Sequence, residues 1–148
     1  TMNVSDIMTT APFTLGPDDS LTQARAMMYE KRIRHIPIAE DQKLLGLISQ
    51  RDVLAAEQSS LLLIDPHKRL ETEKEVKVSE FMKTEIVSID QHASVRKAAL
   101  YLQKHKLGCL PVLENDKLIG IITDSDFVNV AINLLEMMES EEIVSQDW

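Results

Sequence analysis

The sequence predicts a mixed α/β (α+β) fold of two similar halves, each running strand, helix, strand, strand, helix, packed with pseudo-two-fold symmetry. Three observations predict it. Sliding the 148-residue chain against itself by 74 positions lays residues 4–54 on 78–128 without a gap. Thirteen of the 51 aligned pairs are identical, among them Met8/Met82, Pro37/Pro111, Gly46/Gly120 and Asp52/Asp126, where ordinary residue frequencies give roughly three. A unit of about 50 residues also buries too small a fraction of its surface to stand alone, so two copies packed face to face are expected to share a core.

Each element is legible in both copies. Phe13-Thr14-Leu15 and Val87-Ser88-Ile89 alternate and read as first strands. Ser20-Leu21-Thr22-Gln23 matches the S-x-x-Q capping box and opens a helix with Leu21, Ala24 and Met28 on its apolar stripe. Val95, Ala98 and Leu102 repeat that stripe after Ser94. Apolar runs at 35–39 and 44–49 flank the turn Glu40-Asp41-Gln42-Lys43, and runs at 109–113 and 118–123 flank Glu114-Asn115-Asp116-Lys117. A second helix starts after Ser49 in one copy and after Thr123 in the other. The chain divides into a first repeat (1–58), a connector (59–77), a second repeat (78–134) and a helix end with an acidic tail (135–148). In the connector, 61–64 reads as packed and the charged stretch 67–77 as solvated. Val128, Ala131, Leu134, Leu135 and Met138 recur at helical spacing, an apolar stripe that covers the pair or faces another subunit. Thr1 ahead of Met2 reads as a cloning remnant.

Composition excludes several classes. The net charge of −8 and pI near 5.0 oppose broad contact with a phosphate backbone, so no nucleic-acid partner is expected. No apolar run approaches the ~20 residues of a bilayer span, and no membrane partner is expected. The single cysteine, Cys109, forms no internal disulfide and fits a reducing cytoplasm. Four glycines, at 16, 46, 108 and 120, leave no room for a P-loop or a G-x-G-x-x-G turn. His35, His67, His92, His105 and Cys109 lack zinc-type spacing, and no nucleophile–base set or metal motif stands out, so no enzyme is expected.

The copies carry three matched blocks. These are Val4-Ser5-Asp6-Ile7-Met8-Thr9 with Val78-Ser79-Glu80-Phe81-Met82-Lys83, then Ile33-Arg34-His35-Ile36-Pro37-Ile38 with Leu107-Gly108-Cys109-Leu110-Pro111-Val112. The third runs Leu44-Leu45-Gly46-Leu47-Ile48-Ser49-Gln50-Arg51-Asp52 with Leu118-Ile119-Gly120-Ile121-Ile122-Thr123-Asp124-Ser125-Asp126. On these blocks the chain resembles a stand-alone cystathionine-β-synthase (CBS) domain pair. The resemblance implies βαββα lobes with two clefts between them. It implies adenine-containing ligands there (AMP, ADP, ATP or S-adenosylmethionine) as effectors, with no cofactor required.

Ser49-x-x-Asp52 and Thr123-x-x-Asp126 stand where a strand turns into a helix, and capping alone explains that spacing. Free N–H groups at such a terminus also attract phosphate, and the resemblance adds a ribose-binding role for the acid and a phosphate-side role for the hydroxyl. It carries Arg34 and His35 to the phosphate as well. Arg51 adds a guanidinium beside the first motif, where the second copy has Ser125, so the Ser49/Asp52 cleft is expected to hold phosphate better. The resemblance further places each adenine against the opposite copy: Thr84, Ile86, Val87, Leu107 and Gly108 over Asp52, and Thr10, Pro12, Phe13, Ile33 and Arg34 over Asp126. Core and strand packing is the competing reading for Phe13, Ile33, Val87 and Leu107. The expected role is a regulatory module that senses an adenine nucleotide and signals to a protein in trans by conformational or oligomeric change, with a homodimer as its assembly. The alternative is a structural or oligomerisation module whose clefts bind nothing.

Overall fold

The computed structural model of the chain describes residues 2–63 and 68–146. In the first half α1 (Val4–Ile7) and β1 (Thr9–Thr10) precede α2 (Leu21–Lys31), β2 (His35–Glu40), β3 (Lys43–Ser49) and α3 (Gln50–Leu63). After α4 (Arg69–Glu75) and a 3-10 turn (Val78–Glu80) come β4 (Ile89–Asp90), α5 (Val95–His105), β5 (Cys109–Glu114), β6 (Lys117–Thr123) and α6 (Asp124–Gln146). The strands lie in the order β2-β3-β6-β5-β4, with β1 also on β6.

Local chemistry sets these elements. Ser20 Oγ accepts from Gln23 N at 3.1 Å while Gln23 Oε1 accepts from Ser20 N at 2.8 Å, completing the expected box at α2. Both hairpins turn on paired residues with positive φ, Asp41/Gln42 (51°, 68°) and Asn115/Asp116 (50°, 64°). That is the type I′ geometry, whose twist matches the flanking strands. Leu21, Ala24 and Met28 are buried as expected, whereas on α5 only Ala98 is, with Val95 and Leu102 half-buried. The first strands fall short of expectation: Phe13 and Thr14 join no strand, and Leu15 makes a single parallel bridge to Ile38. Its counterpart Ile89 pairs with Val112 in the same register, extended only by Asp90. Extended segments without a neighbour along their length gain no ladder.

The expectation of one shared core is also corrected. Among the described residues there are two cores, and each half sends its N-terminal arm into the other. Val4 packs fully buried with Ile89, Ala98, Leu110, Val112 and Ile122 of the second half. Val78 does the same among Leu21, Ala24, Ile36, Ile38 and Ile48 of the first. A four-residue helix has too little surface to hold itself, and burying a valine contributes about 1.5–3 kcal/mol. Backbone bonds fix the exchange: Val4 N donates to Ala93 O (2.8 Å) and Val78 N to Asp19 O (2.8 Å). Further along each arm, Thr9 pairs with Ile121 and Lys83 bridges Leu47, positions related by the 74-residue offset.

The stretch 67–77, expected to be solvated, instead contains α4, with Glu73 fully buried. Arg25 Nη2 lies 2.7 Å from Glu73 Oε2 and Nη1 lies 2.9 Å from Glu57 Oε1, tying α4 to α2 and α3. The hydrogen bond to Glu73 is the main reason the Arg25 pKa stands above its already high value. A buried carboxylate is tolerable only with such a partner. The side chains of 61–64 lie outside the described residues. On α6, Val128, Ala131, Leu134, Leu135 and Met138 are exposed, so this stripe does not cover the pair. Among the described residues no helix is long and apolar enough to cross a membrane.

Where the arms cross the sheet, only glycine fits. A Cβ on Gly120 would lie 2.6 Å from Met8 Sδ and 3.0 Å from the Thr9 carbonyl, and Gly46 meets Met82 in the same way. Gly120→Ala is therefore expected to destabilise the chain by about 1–3 kcal/mol, the usual cost of overpacking. Gly16→Ala, whose Cβ would meet nothing closer than Asp19 Oδ2 at 3.6 Å, is expected to be near neutral. Urea unfolding of the two variants checks the contrast.

Candidate functional site

The arm exchange opens two clefts between the halves. One, of about 440 Å³, lies over Ser49 and Asp52; the other, of about 670 Å³, lies over Thr123 and Asp126. Both fall in the size range of small-molecule sites.

Each cleft has a helix start as its floor. At α3, Asp52 Oδ2 accepts from Ser49 N (2.8 Å) and from Ser49 Oγ (3.0 Å), while Ser49 Oγ accepts from Asp52 N (3.2 Å). At α6, Asp126 Oδ2 accepts from Thr123 N at 2.9 Å. The capping reading of these motifs is thus correct, and it uses one carboxylate oxygen. The other oxygen faces the opposite half: Asp52 Oδ1 is 3.9 Å from Lys83 Nζ, and Asp126 Oδ1 accepts from Thr9 Oγ1 at 3.4 Å. Lys83 and Thr9 occupy equivalent positions of the two arms. Capping and acceptance from a ligand hydroxyl are therefore compatible on one side chain.

Most of the expected residues meet at these clefts. Over Asp52 stand Arg51, Ile86, Val87, Leu107 and Gly108; over Asp126 stand Thr10, Pro12, Phe13, Ile33 and Ser125. Phe13 is 48% exposed and forms cleft wall alone, whereas Ile33, Val87 and Leu107 are half-buried, line the clefts and also pack against the cores, so both readings hold for them. Lys31 Nζ lies 5.0 Å above the Phe13 ring. Thr84 is a correction, since it does not line the Asp52 cleft although its equivalent Thr10 lines the other. Thr10 is held in β1 against Gly120, whereas the second arm makes only the Lys83–Leu47 bridge and leaves Thr84 unpaired to a strand. Arg34, expected both beside Ser49 and Asp52 and over Asp126, and His35, expected only at the first, border both clefts.

Sequence reasoning missed Lys83, Glu85 and Lys106 at the Asp52 cleft and Thr9 and Arg32 at the other. Arg32 and Lys106 share a signal, each being a left-handed residue (φ 54° and 53°) that ends the helix before the cleft strand. The charges differ accordingly. Arg34, Arg51, Lys83 and Lys106 face Asp52, Glu85 and Asp124 in one cleft, while Arg32 and Arg34 face Asp124 and Asp126 in the other. Cations beside free helix N–H groups can hold an anionic group, and the first cleft has more of them. Cys109 is 2% exposed, and burial, with Asp126 and Asp124 adding to it, pushes its pKa up to about 12, so it stays a protonated thiol.

Two halves of this topology, clasped with clefts at the seam, define a tandem-repeat domain pair, and the sequence family agrees. The CBS domain family model matches residues 4–59 and 78–133, and the chain belongs to that family. A CBS domain-containing protein of Dictyostelium discoideum is 33% identical over 135 residues, covering 90% of this chain and 93% of its own length. Inosine-5'-monophosphate dehydrogenase of Staphylococcus epidermidis is 33% identical over 123 residues, which span 80% of this chain but 22% of the enzyme. Among solved structures, a protein assigned to acetoin utilization (AcuB) from Vibrio cholerae matches with a TM-score of 0.82 and 46% identity, over 93% of this chain and 97% of that one. CBSX2, solved in complex with AMP, matches with a TM-score of 0.75 and 27% identity, over 90% and 98%.

His35 makes the seam sensitive to pH. Burial lowers its pKa below the ordinary imidazole value, with Asp124 opposing the shift and Arg34 adding to it. The unfolded chain therefore takes up the proton first. The stability contribution is complete above about pH 6.5 and is lost as the pH falls through the lowered folded value. Urea midpoints at pH 7.5 and 5.5 are expected to show a larger acid loss for the natural chain than for His35→Gln. Equal losses would contradict this.

Proposed function

We propose that this CBS pair is a ligand-sensing regulatory module that binds an adenine nucleotide between its repeats. The observation that carries the reading is the pair of interrepeat clefts, each with a capping aspartate that keeps one oxygen turned to the opposite arm. The AMP complex of CBSX2 supports the ligand class. In the first cleft Asp52 accepts from the ribose hydroxyls, Ser49, Arg51 and Arg34 hold the phosphate with His35 beside them, and Val87 and Leu107 flank the base. In the second, Asp126, Thr123 and Ser125 take the corresponding roles, with Thr10, Phe13 and Ile33 around the base. The cation surplus over Asp52 makes that cleft the stronger phosphate site.

The module works by population shift rather than catalysis in a cytoplasmic setting. A ligand wedged between the halves favours one interrepeat or intersubunit arrangement, and a protein in trans reads it. The assembly is a homodimer formed through α6, whose Leu134, Leu135, Met137 and Met138 are each more than half exposed. That same face favours the second reading, an oligomerisation module with empty clefts.

A thermal-shift series with AMP, ADP, ATP and S-adenosylmethionine separates the two. The proposal expects a melting temperature that rises with ligand concentration, and expects Arg51→Ala to weaken AMP binding about tenfold while Ser125→Ala changes it less than threefold, one charge-assisted contact being worth about 1.5 kcal/mol. No shift with any ligand favours the oligomerisation reading, and equal losses in the two variants contradict the asymmetry.

A further inference from the structure

Three side chains border both clefts: Arg34, His35 and Asp124. The 74-residue offset makes them the counterparts of Gly108, Cys109 and Gln50, so the pseudo-two-fold is broken in charge along the seam. Gly108 supplies the room. A Cβ there would lie 2.9 Å from His35 Cε1 and 3.0 Å from Nε2, and its absence lets the imidazole sit across the seam toward the Asp52 cleft. Burial lowers the His35 pKa from its ordinary value and so favours the neutral imidazole. The fixed charges shared by both clefts are then one guanidinium, on the exposed side chain of Arg34, and one carboxylate, on Asp124.

We propose that the two clefts are negatively coupled through this seam: a phosphate bound in one recruits Arg34 and thereby weakens the binding of a second phosphate-bearing ligand in the other. The inference rests on the nucleotide-binding reading above and adds the regulation of that site. A guanidinium fork oriented on one phosphate is not free to orient on another. With Arg34 engaged, the second ligand meets the first phosphate and Asp124 without their counter-charge. The order of filling follows from the remaining cations. The Asp52 cleft is lined by three further cations, Arg51, Lys83 and Lys106, and the Asp126 cleft by one, Arg32, with Lys31 held over its Phe13 wall, so the first fills first and the second bears the loss. The pair then reports nucleotide over a wider concentration range than two independent sites of the same strengths would.

Calorimetric titration of the full chain with AMP, and separately with adenosine, tests this. Asp52→Ala and Asp126→Ala each leave one cleft to be measured alone. The second AMP is expected to bind the natural chain at least about tenfold more weakly than AMP binds the Asp126 cleft in Asp52→Ala, within the usual span of coupling between sites. Adenosine, which has no phosphate, is expected to give an isotherm equal to the sum of the two single-cleft isotherms. Arg34→Gln is expected to shrink the loss on the second AMP without abolishing it, because competition for the guanidinium is gone while repulsion from the first phosphate remains. An AMP isotherm of the natural chain that already equals that sum overturns the coupling and leaves the nucleotide-binding reading standing. A chain that binds neither AMP nor adenosine overturns both.

Discussion

The structure depends on a reciprocal exchange of arms. Val4 and Val78 each complete the core of the opposite repeat, and Met8 and Met82 each cross above a glycine of the opposite third strand. Neither repeat closes its own core, which is the physical reason a unit of about 50 residues occurs here as a pair. The same crossing makes the clefts. The residues that descend from each arm, Thr9 to Phe13 on one side and Lys83, Glu85, Ile86 and Val87 on the other, are carried past the strand end of the other repeat and become walls over its capping aspartate. Stability and binding surface come from one geometric act.

That coupling explains how a single side chain serves two purposes. Asp52 and Asp126 hold the first turn of α3 and α6 through one oxygen and present the other to the opposite repeat. Duplication supplies two such floors, and divergence acts on their surroundings. Thr9 against Lys83, Ser125 against Arg51 and Gly108 against Arg34 are differences of charge placed around an unchanged backbone plan. Two clefts of common plan but unequal size and electrostatics are the outcome, with Arg34 and Asp124 on the border between them.

Much of this was legible in the sequence, wherever the signal was local. The box at Ser20, the hairpin turns at Asp41 and Asn115, and the motif from Ser49 to Asp52 depend on neighbours a few residues away, and each forms as its residues dictate. The family resemblance, resting on three blocks per copy, carried the clefts and most of their walls. What escaped depends on distant partners. The segment at Phe13 alternates like a strand but finds no neighbouring edge, and the charged stretch around Glu73 becomes a packed helix because Arg25, 48 residues away, meets it. Lys83 and Lys106 look like ordinary surface cations until the arm crossing and the helix ends bring them to Asp52.

The central claim is that a ligand is held by both repeats at once, one supplying the aspartate and the other the wall. Amide hydrogen exchange with and without saturating AMP reads this directly. The account predicts slowed exchange both at the start of α3 around Asp52 and on the opposite arm from Lys83 to Val87. Protection confined to one repeat, or none at either segment, would contradict it.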